Sequence, residues 1–220
     1  VSGVEVQTEK VWEAAREYEL PCLVVLNRID RERASLSRSL ESLQAAFGRT
    51  VIPVQLPIGE EKSFRGVVDL VSMKAYLFQT DGSGKFEEGA VPADVQPAAQ
   101  AAREALIEMV AEADDSLMEK FFEEGTLSQE QLVTGLRTAV ASRKVFPLFC
   151  ASSGLNVGVQ PLLDAVLAYV PAPSERAVKG VKGGEEVAVR ADEGGPYSAY
   201  VWKTVADPFA GRITMFRVMN

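Results

Sequence analysis

The chain has 220 residues, 47% hydrophobic and 25% charged, enough for one to two domains with a real core. It has no apolar run near the roughly 20 residues that a membrane helix needs, so no membrane span is expected. Its net charge is −8, and residues 104–130 alone hold nine acids against one base, Lys120, also a net of −8; such a face repels phosphates and argues against direct, sequence-specific nucleic-acid binding.

Taken in chain order, the pattern begins as α/β. Thr8 suits a helix cap, and Val11, Ala14, Ala15 and Tyr18 follow at helical spacing. Residues 22–26 form a continuous apolar run, which predicts a strand buried on both faces of a parallel sheet. Leu36, Leu40, Leu43 and Phe47 predict a second amphipathic helix, stopped by Gly48. The pattern then changes. Residues 50–56 and 65–80 read as short strands, with Asp81-Gly82-Ser83-Gly84 as a hairpin tip. The Gly82-x-Gly84-Lys85 spacing is not a phosphate loop, because no Ser or Thr follows the lysine and no helix follows the loop.

Helices come next. Ala102, Leu106, Met109, Val110, Ala113 and Leu117 form one stripe. Ser128 and Gln131 form a capping box ahead of Leu132, Leu136, Ala139 and Val140. The α/β part resumes with a strand at 145–150 and a helix carrying Val159, Leu162, Leu163, Val166, Leu167 and Val170 on its apolar face, with Pro161 in the first turn. Residues 173–195 read as a polar, glycine-rich linker, and 197–205 and 211–219 as two strands. Cys22 and Cys150 both fall in apolar runs and are expected as buried, reduced thiols.

Two strand ends carry chemistry. Leu23-Val24-Val25-Leu26 runs into Asn27-Arg28-Ile29-Asp30. In an open parallel sheet, ligands bind where strands deliver their carboxyl ends. Asp30 there could accept two hydrogen bonds from an N1–H and N2–H₂ edge such as guanine presents. Asn27 could bridge the loop to its neighbours and to the base N7. Adenine lacks the matching donors, and a charge-assisted two-point contact would reject it. Asn and Asp after a strand also serve as plain turn formers and caps. The strand at 145–150 ends in Ala151-Ser152-Ser153-Gly154-Leu155-Asn156, whose small residues let backbone N–H groups come close to a base O6.

These residues, with several longer segments, resemble bacterial elongation factor G. Gly3-Val4-Glu5-Val6-Gln7-Thr8 is similar to the family's segment after its second GTPase loop. Asn27-Arg28-Ile29-Asp30-Arg31 resembles its NKxDR. Val54-Gln55-Leu56-Pro57-Ile58-Gly59 and Phe64-Arg65-Gly66-Val67-Val68-Asp69 resemble the start of its extra insert, and Glu112-Ala113-Asp114-Asp115-Ser116-Leu117 the insert's helical part. Gly158-Val159-Gln160-Pro161-Leu162-Leu163 and Asp207-Pro208-Phe209-Ala210-Gly211-Arg212 complete the set.

The resemblance implies an α/β fold: part of a P-loop-GTPase-type parallel sheet with helices, an inserted α+β subdomain, and the first strands of a β-barrel. Its expected limits are 1–49 and 143–172 for the second half of a G domain, 50–142 for the insert, 173–195 for a linker and 196–220 for the start of the barrel. It implies a part in ribosomal translocation, with GTP or GDP held at the guanine end by Asn27, Arg28, Asp30, Ser152 and Ser153. In that pattern Asn27 braces the loop, Asp30 reads N1 and N2, and the Ser153 N–H meets O6. Arg28 replaces the usual Lys and Ser153 the usual Ala; the second change is expected to matter little. The implied partners are the ribosome and, through the acidic insert, its stalk protein, in the cytoplasm.

The sequence contains no GxxxxGK[ST] loop and no histidine. No catalytic residue and no metal ligand, Mg²⁺ included, is therefore assigned, and the chain is expected to be a section of a longer GTPase, cut at both ends. The readings from other classes are a non-catalytic ribosome-interaction module, a recycling or ribosome-protection paralogue, and an unrelated α/β enzyme. The missing histidine and the lack of an Asp/Glu/Cys cluster count against the last.

Overall fold

A computed structural model describes residues 2–79, 81–175 and 178–220. Residue 80, at the expected strand end, and residues 176 and 177, in the expected linker, lie outside the described residues. The described chain forms two compact units, 1–170 and 171–220.

The first unit is built on a three-stranded parallel sheet in the order β1-β7-β2, from Val24–Leu26, Phe146–Cys150 and Val51–Pro53. Val24, Val25 and Leu26 stand opposite Leu148, Phe149 and Cys150, and Val51, Ile52 and Pro53 opposite Phe146, Pro147 and Leu148. Residues 51–53 were expected to open the insert. Instead they pair in parallel with β7, so the sheet keeps them and the insert begins after them. β1 was expected to be covered on both faces. It lies at the sheet edge, and Val25 is 40% exposed.

The insert supplies a four-stranded antiparallel sheet, β3-β4-β5-β6, from Gln55–Ile58, Gly66–Asp69, Lys74–Phe78 and Phe86–Ala90. Three helices follow: α3 (Gln96–Glu112), α4 (Asp115–Glu124) and α5 (Gln129–Ala141). The stripe read through 102–117 breaks at Asp114, whose carboxylate caps α4 by accepting from the Ser116 and Leu117 N–H groups at 2.9 and 3.2 Å. The Ser128–Gln131 capping box is present, with the Gln131 N–H donating to Ser128 Oγ at 3.2 Å and the Ser128 N–H to Gln131 Oε1 at 2.7 Å. Leu106, Val110, Leu132, Leu136 and Val140 bury one face of the helices against Val54, Leu70 and Phe149 in the main core.

Two amphipathic faces differ from the expected ones. In α1 (Val6–Glu17) no residue is fully buried, and Val11 and Tyr18 point to solvent. Trp12 makes the contact instead, stacked on Phe47 of α2 (Leu36–Phe47) at 4.3 Å and tilted against Phe146 at 4.6 Å. In α6 (Val159–Tyr169) the buried residues are Pro161, Ala165 and Tyr169, while Leu163 and Leu167 are 59% and 80% exposed. A wide apolar stripe leaves the choice of buried edge to tertiary packing, and here the edge carrying Pro161, Ala165 and Tyr169 faces inward.

Both cysteines are free. Cys150 is buried, and its thiol is pushed far up by that burial, with the nearby Glu60 charge adding to the effect. Cys22 is only half-buried and precedes β1.

The second unit contains two antiparallel hairpins. β10 (Ala199–Asp207) and β11 (Gly211–Val218) form the expected pair, with an irregularity between Val201 and Lys203. The expected linker contains a hairpin as well: β8 (Val178–Lys182) and β9 (Glu185–Val189) pair around Gly183-Gly184, with Lys182 opposite Glu185. Gly-Gly is a two-residue hairpin turn, and that signal outweighs the polar composition.

Candidate functional site

Because β1 and β7 are parallel neighbours, their carboxyl ends deliver two loops side by side. The Ala151 N–H donates to the Leu26 carbonyl at 3.0 Å, and the Ile29 N–H to the Ala151 carbonyl at 3.4 Å. Ile29 is 1% exposed and packs with Phe64, Phe78, Cys150 and Val157. This buried anchor fixes the loop and leaves the residues on either side of it for chemistry.

Asn27 joins the loops. Its Oδ1 accepts from the Arg28 N–H at 2.8 Å and from the Ser153 N–H at 3.0 Å, and its Nδ2 donates to Ser153 Oγ at 3.0 Å. Two residues far apart in sequence are thus tied side chain to backbone and side chain to side chain. An amide nitrogen carries two hydrogens, so Asn27 keeps one donor for a ligand. Arg28 has φ +63°, a left-handed conformation that the Asn27 bond to its N–H helps to hold. Its guanidinium makes no hydrogen bond or ion pair among the described residues.

Asp30 is half-buried, and its Oδ1 is shielded from water with no hydrogen-bond partner among the described residues. Among the described residues no backbone N–H reaches its carboxylate, as a capping role would require. A shielded, unpaired carboxylate oxygen is costly and calls for an explanation. A ligand edge carrying two N–H donors is one that fits its chemistry.

The second loop departs from the expectation in two ways. Ser152 is buried, and its hydroxyl accepts from the Leu155 N–H at 3.3 Å, while its backbone bridges Val157 in both directions at 2.9 and 3.0 Å. These bonds shape the turn. The Ser153 N–H, expected to be open for a base O6, is occupied by Asn27. The Ser153 hydroxyl hydrogen and the Gly154 N–H are among the donors that this loop still offers. The Ser153 hydroxyl, which an alanine would lack, accepts from Asn27 Nδ2.

Sequence reasoning missed Gly158, which closes the second loop and caps α6. It sits at φ +76°, and a Cβ there would lie 2.4 Å from the Cys150 carbonyl oxygen. Its signal was a glycine three residues ahead of Pro161 in the helix's first turn. Gly158→Ala is expected to cost roughly 1–3 kcal/mol through strained backbone, before any shift forced by the close contact. Urea denaturation checks this, and an unchanged midpoint would count against it.

A concavity of about 770 Å³ lies elsewhere, beside Trp12, Phe47 and Phe146, at the amino end of β7. The position of a site in this fold class follows strand polarity, not cavity size, so the carboxyl-end loops are the stronger candidate. Among the described residues no cluster of three metal-ligating side chains is present, and no helix is long and apolar enough to cross a membrane.

The fold has relatives among known proteins. A crystal structure of a protein from Thermus thermophilus matches with a TM-score of 0.81 and 30% identity, over 99% of this chain and 30% of that one. This chain thus spans less than a third of the length of that protein. The likeness agrees with the α/β fold described above, its parallel sheet and its further antiparallel strands. Residues 1–172 match the family described as the elongation factor Tu GTP binding domain. That span holds both strand-end loops and most of the chain, and the chain accordingly belongs to this family of translational GTP-binding domains.

Proposed function

We propose that this chain is the guanine-reading section of a translocation GTPase of the elongation factor G kind, acting on the ribosome in the cytoplasm. The observation that carries the reading is Asn27 bonded to the Ser153 loop through both atoms of its amide, beside an Asp30 oxygen that lacks a partner. In this reading Asp30 accepts from guanine N1–H and N2–H₂, the spare Asn27 hydrogen serves N7, and the Ser153 hydroxyl or the Gly154 N–H serves O6. Arg28 offers an aliphatic stem and a planar head beside the base. GTP supplies the phosphate whose transfer drives the factor. The residues named here select and hold the base, and none is assigned to catalysis or to Mg²⁺. Ribosome-stimulated GTP hydrolysis and tRNA–mRNA translocation by the full-length protein test the reading. Hydrolysis without translocation would favour a recycling or ribosome-protection role.

The acidic insert is proposed to meet a basic partner, the ribosomal stalk protein. Glu108, Glu119 and Glu123 are exposed, and Phe122 stands 78% exposed beside the last two. Glu112 belongs elsewhere, because it forms an ion pair with Arg49 at 2.6 Å. Complementary charge mainly accelerates association and is screened over about 8 Å at physiological salt. Reversing Glu108, Glu119 and Glu123 to Lys is expected to slow ribosome association about tenfold at low salt, while GDP affinity stays at the wild-type level. Stopped-flow rates and a salt slope equal to the wild type would remove the docking role.

A further inference from the structure

The insert touches both guanine loops, and its tightest contacts fall on the segment that presents Asp30. Glu61 donates its backbone N–H to the Ile29 carbonyl at 2.8 Å, and its Oε1 accepts from the Arg33 N–H at 2.8 Å. Glu60 Oε1 accepts from the Leu36 N–H at 2.7 Å. That second carboxylate caps α2 from 24 residues away, where Ser35, at the helix's own N-cap position, makes no side-chain cap bond. Arg28, Arg33 and Glu61 all hold left-handed backbone, at φ +63°, +64° and +55°. Three such residues in two facing segments are stable only where surrounding bonds fix them, and they concentrate at working sites.

The insert reaches the second loop too. Gln55, at the start of β3, is buried and accepts from the Cys150 N–H at 3.4 Å, at the last residue before that loop. At the hairpin tip, Asn156 Nδ2 donates to the Gly82 carbonyl at 3.4 Å. A Cβ on Gly84 would crowd the side-chain ends of Asn156 and Gln160, and its φ of +72° favours glycine there.

We propose that Glu60 and Glu61 are positioning residues for the guanine pocket: from the insert's entry turn they hold the 27–36 loop in the strained shape that presents Asp30. This rests on the guanine reading above. It makes base selectivity depend on two carboxylates that never touch the base. It also gives any partner bound to the insert a short path to nucleotide affinity, through residues 58–63.

The test uses Glu60→Ala, Glu61→Ala and the matching Gln variants in the full-length protein, with GDP and IDP affinities measured together. The Ala variants are expected to lose about tenfold in GDP affinity. IDP, which lacks the 2-amino group, should lose less, so the GDP/IDP preference narrows. The Gln variants, whose Oε1 still accepts, should stay within about threefold of wild type. Wild-type GDP affinity in both Ala variants would overturn the proposal, as would equal losses for GDP and IDP, the mark of general destabilisation. A wild-type protein without preference for GDP over ADP would defeat the guanine reading instead. Amide exchange then still decides the positioning role: Arg33 and Leu36 amides must exchange faster in the Ala than in the Gln variants, and equal rates overturn it.

Discussion

Replacing Asp30 by Asn is expected to weaken GTP and GDP binding by the full-length protein roughly 30- to 1000-fold, or about 2–4 kcal/mol. The carboxylate offers two acceptors, one of them shielded and unpaired in the free protein. The amide replaces one acceptor with an N–H₂ that faces the guanine N2–H₂, so donor meets donor. Xanthine carries an oxygen at that position, and Asp30→Asn should therefore gain xanthine nucleotide as it loses guanine. Titration of both nucleotides against both proteins measures the exchange. Wild-type GTP affinity in the variant would reduce Asp30 to a turn residue.

Phe149→Ala is expected to cost about 3–5 kcal/mol. Phe149 is among the largest fully buried side chains and stands in β7, one residue before Cys150. Its ring packs in the main core with the insert helices and α6. Deleting it leaves a cavity in that core, between the sheet and the insert helices. Denaturant unfolding followed by circular dichroism checks the magnitude. A loss below about 1 kcal/mol would mean that the core closes over the gap. Leu163, by contrast, is mostly exposed, and Leu163→Ala should cost little.

What the sequence revealed depended on how local the cause was. The Ser128–Gln131 capping box, the Leu36–Phe47 stripe ended by Gly48 and the β7 strand are written within a few residues, and the structure has them where the pattern put them. Faces and partners were harder to read. β2 belongs to the parallel sheet because it pairs with β7, far along the chain, and nothing in Val51-Ile52-Pro53 distinguishes that from the insert's first strand. The inward edges of α1 and α6 are chosen by Trp12 and by Pro161, Ala165 and Tyr169, against the wider stripes that periodicity suggests. The β8–β9 hairpin was legible in Gly183-Gly184 but was hidden by a composition of Lys, Glu and Gly.

The site divides in the same way. Asn27 and Asp30 stand out because a strand end followed by Asn-x-x-Asp suits base recognition. The occupation of the Ser153 N–H by Asn27, and the bracing of the loop by Glu60 and Glu61, could not be read from the sequence. Both are contacts between segments distant in sequence, and a hydroxyl or carboxylate in a loop has no periodicity to betray its partner.

Competition against a fluorescent GDP bound to the full-length protein separates a guanine pocket from a plain pair of turns. Unlabelled GDP, IDP and ADP are the competitors, with Asn27→Ala measured alongside. If the joined loops read guanine, GDP displaces the probe, IDP does so more weakly, and ADP fails even at about hundredfold excess, which corresponds to a discrimination of at least about 2.7 kcal/mol; Asn27→Ala, which unties the Ser153 loop, lowers GDP affinity. Equal displacement by ADP and GDP, or unchanged GDP affinity in Asn27→Ala, would contradict the account.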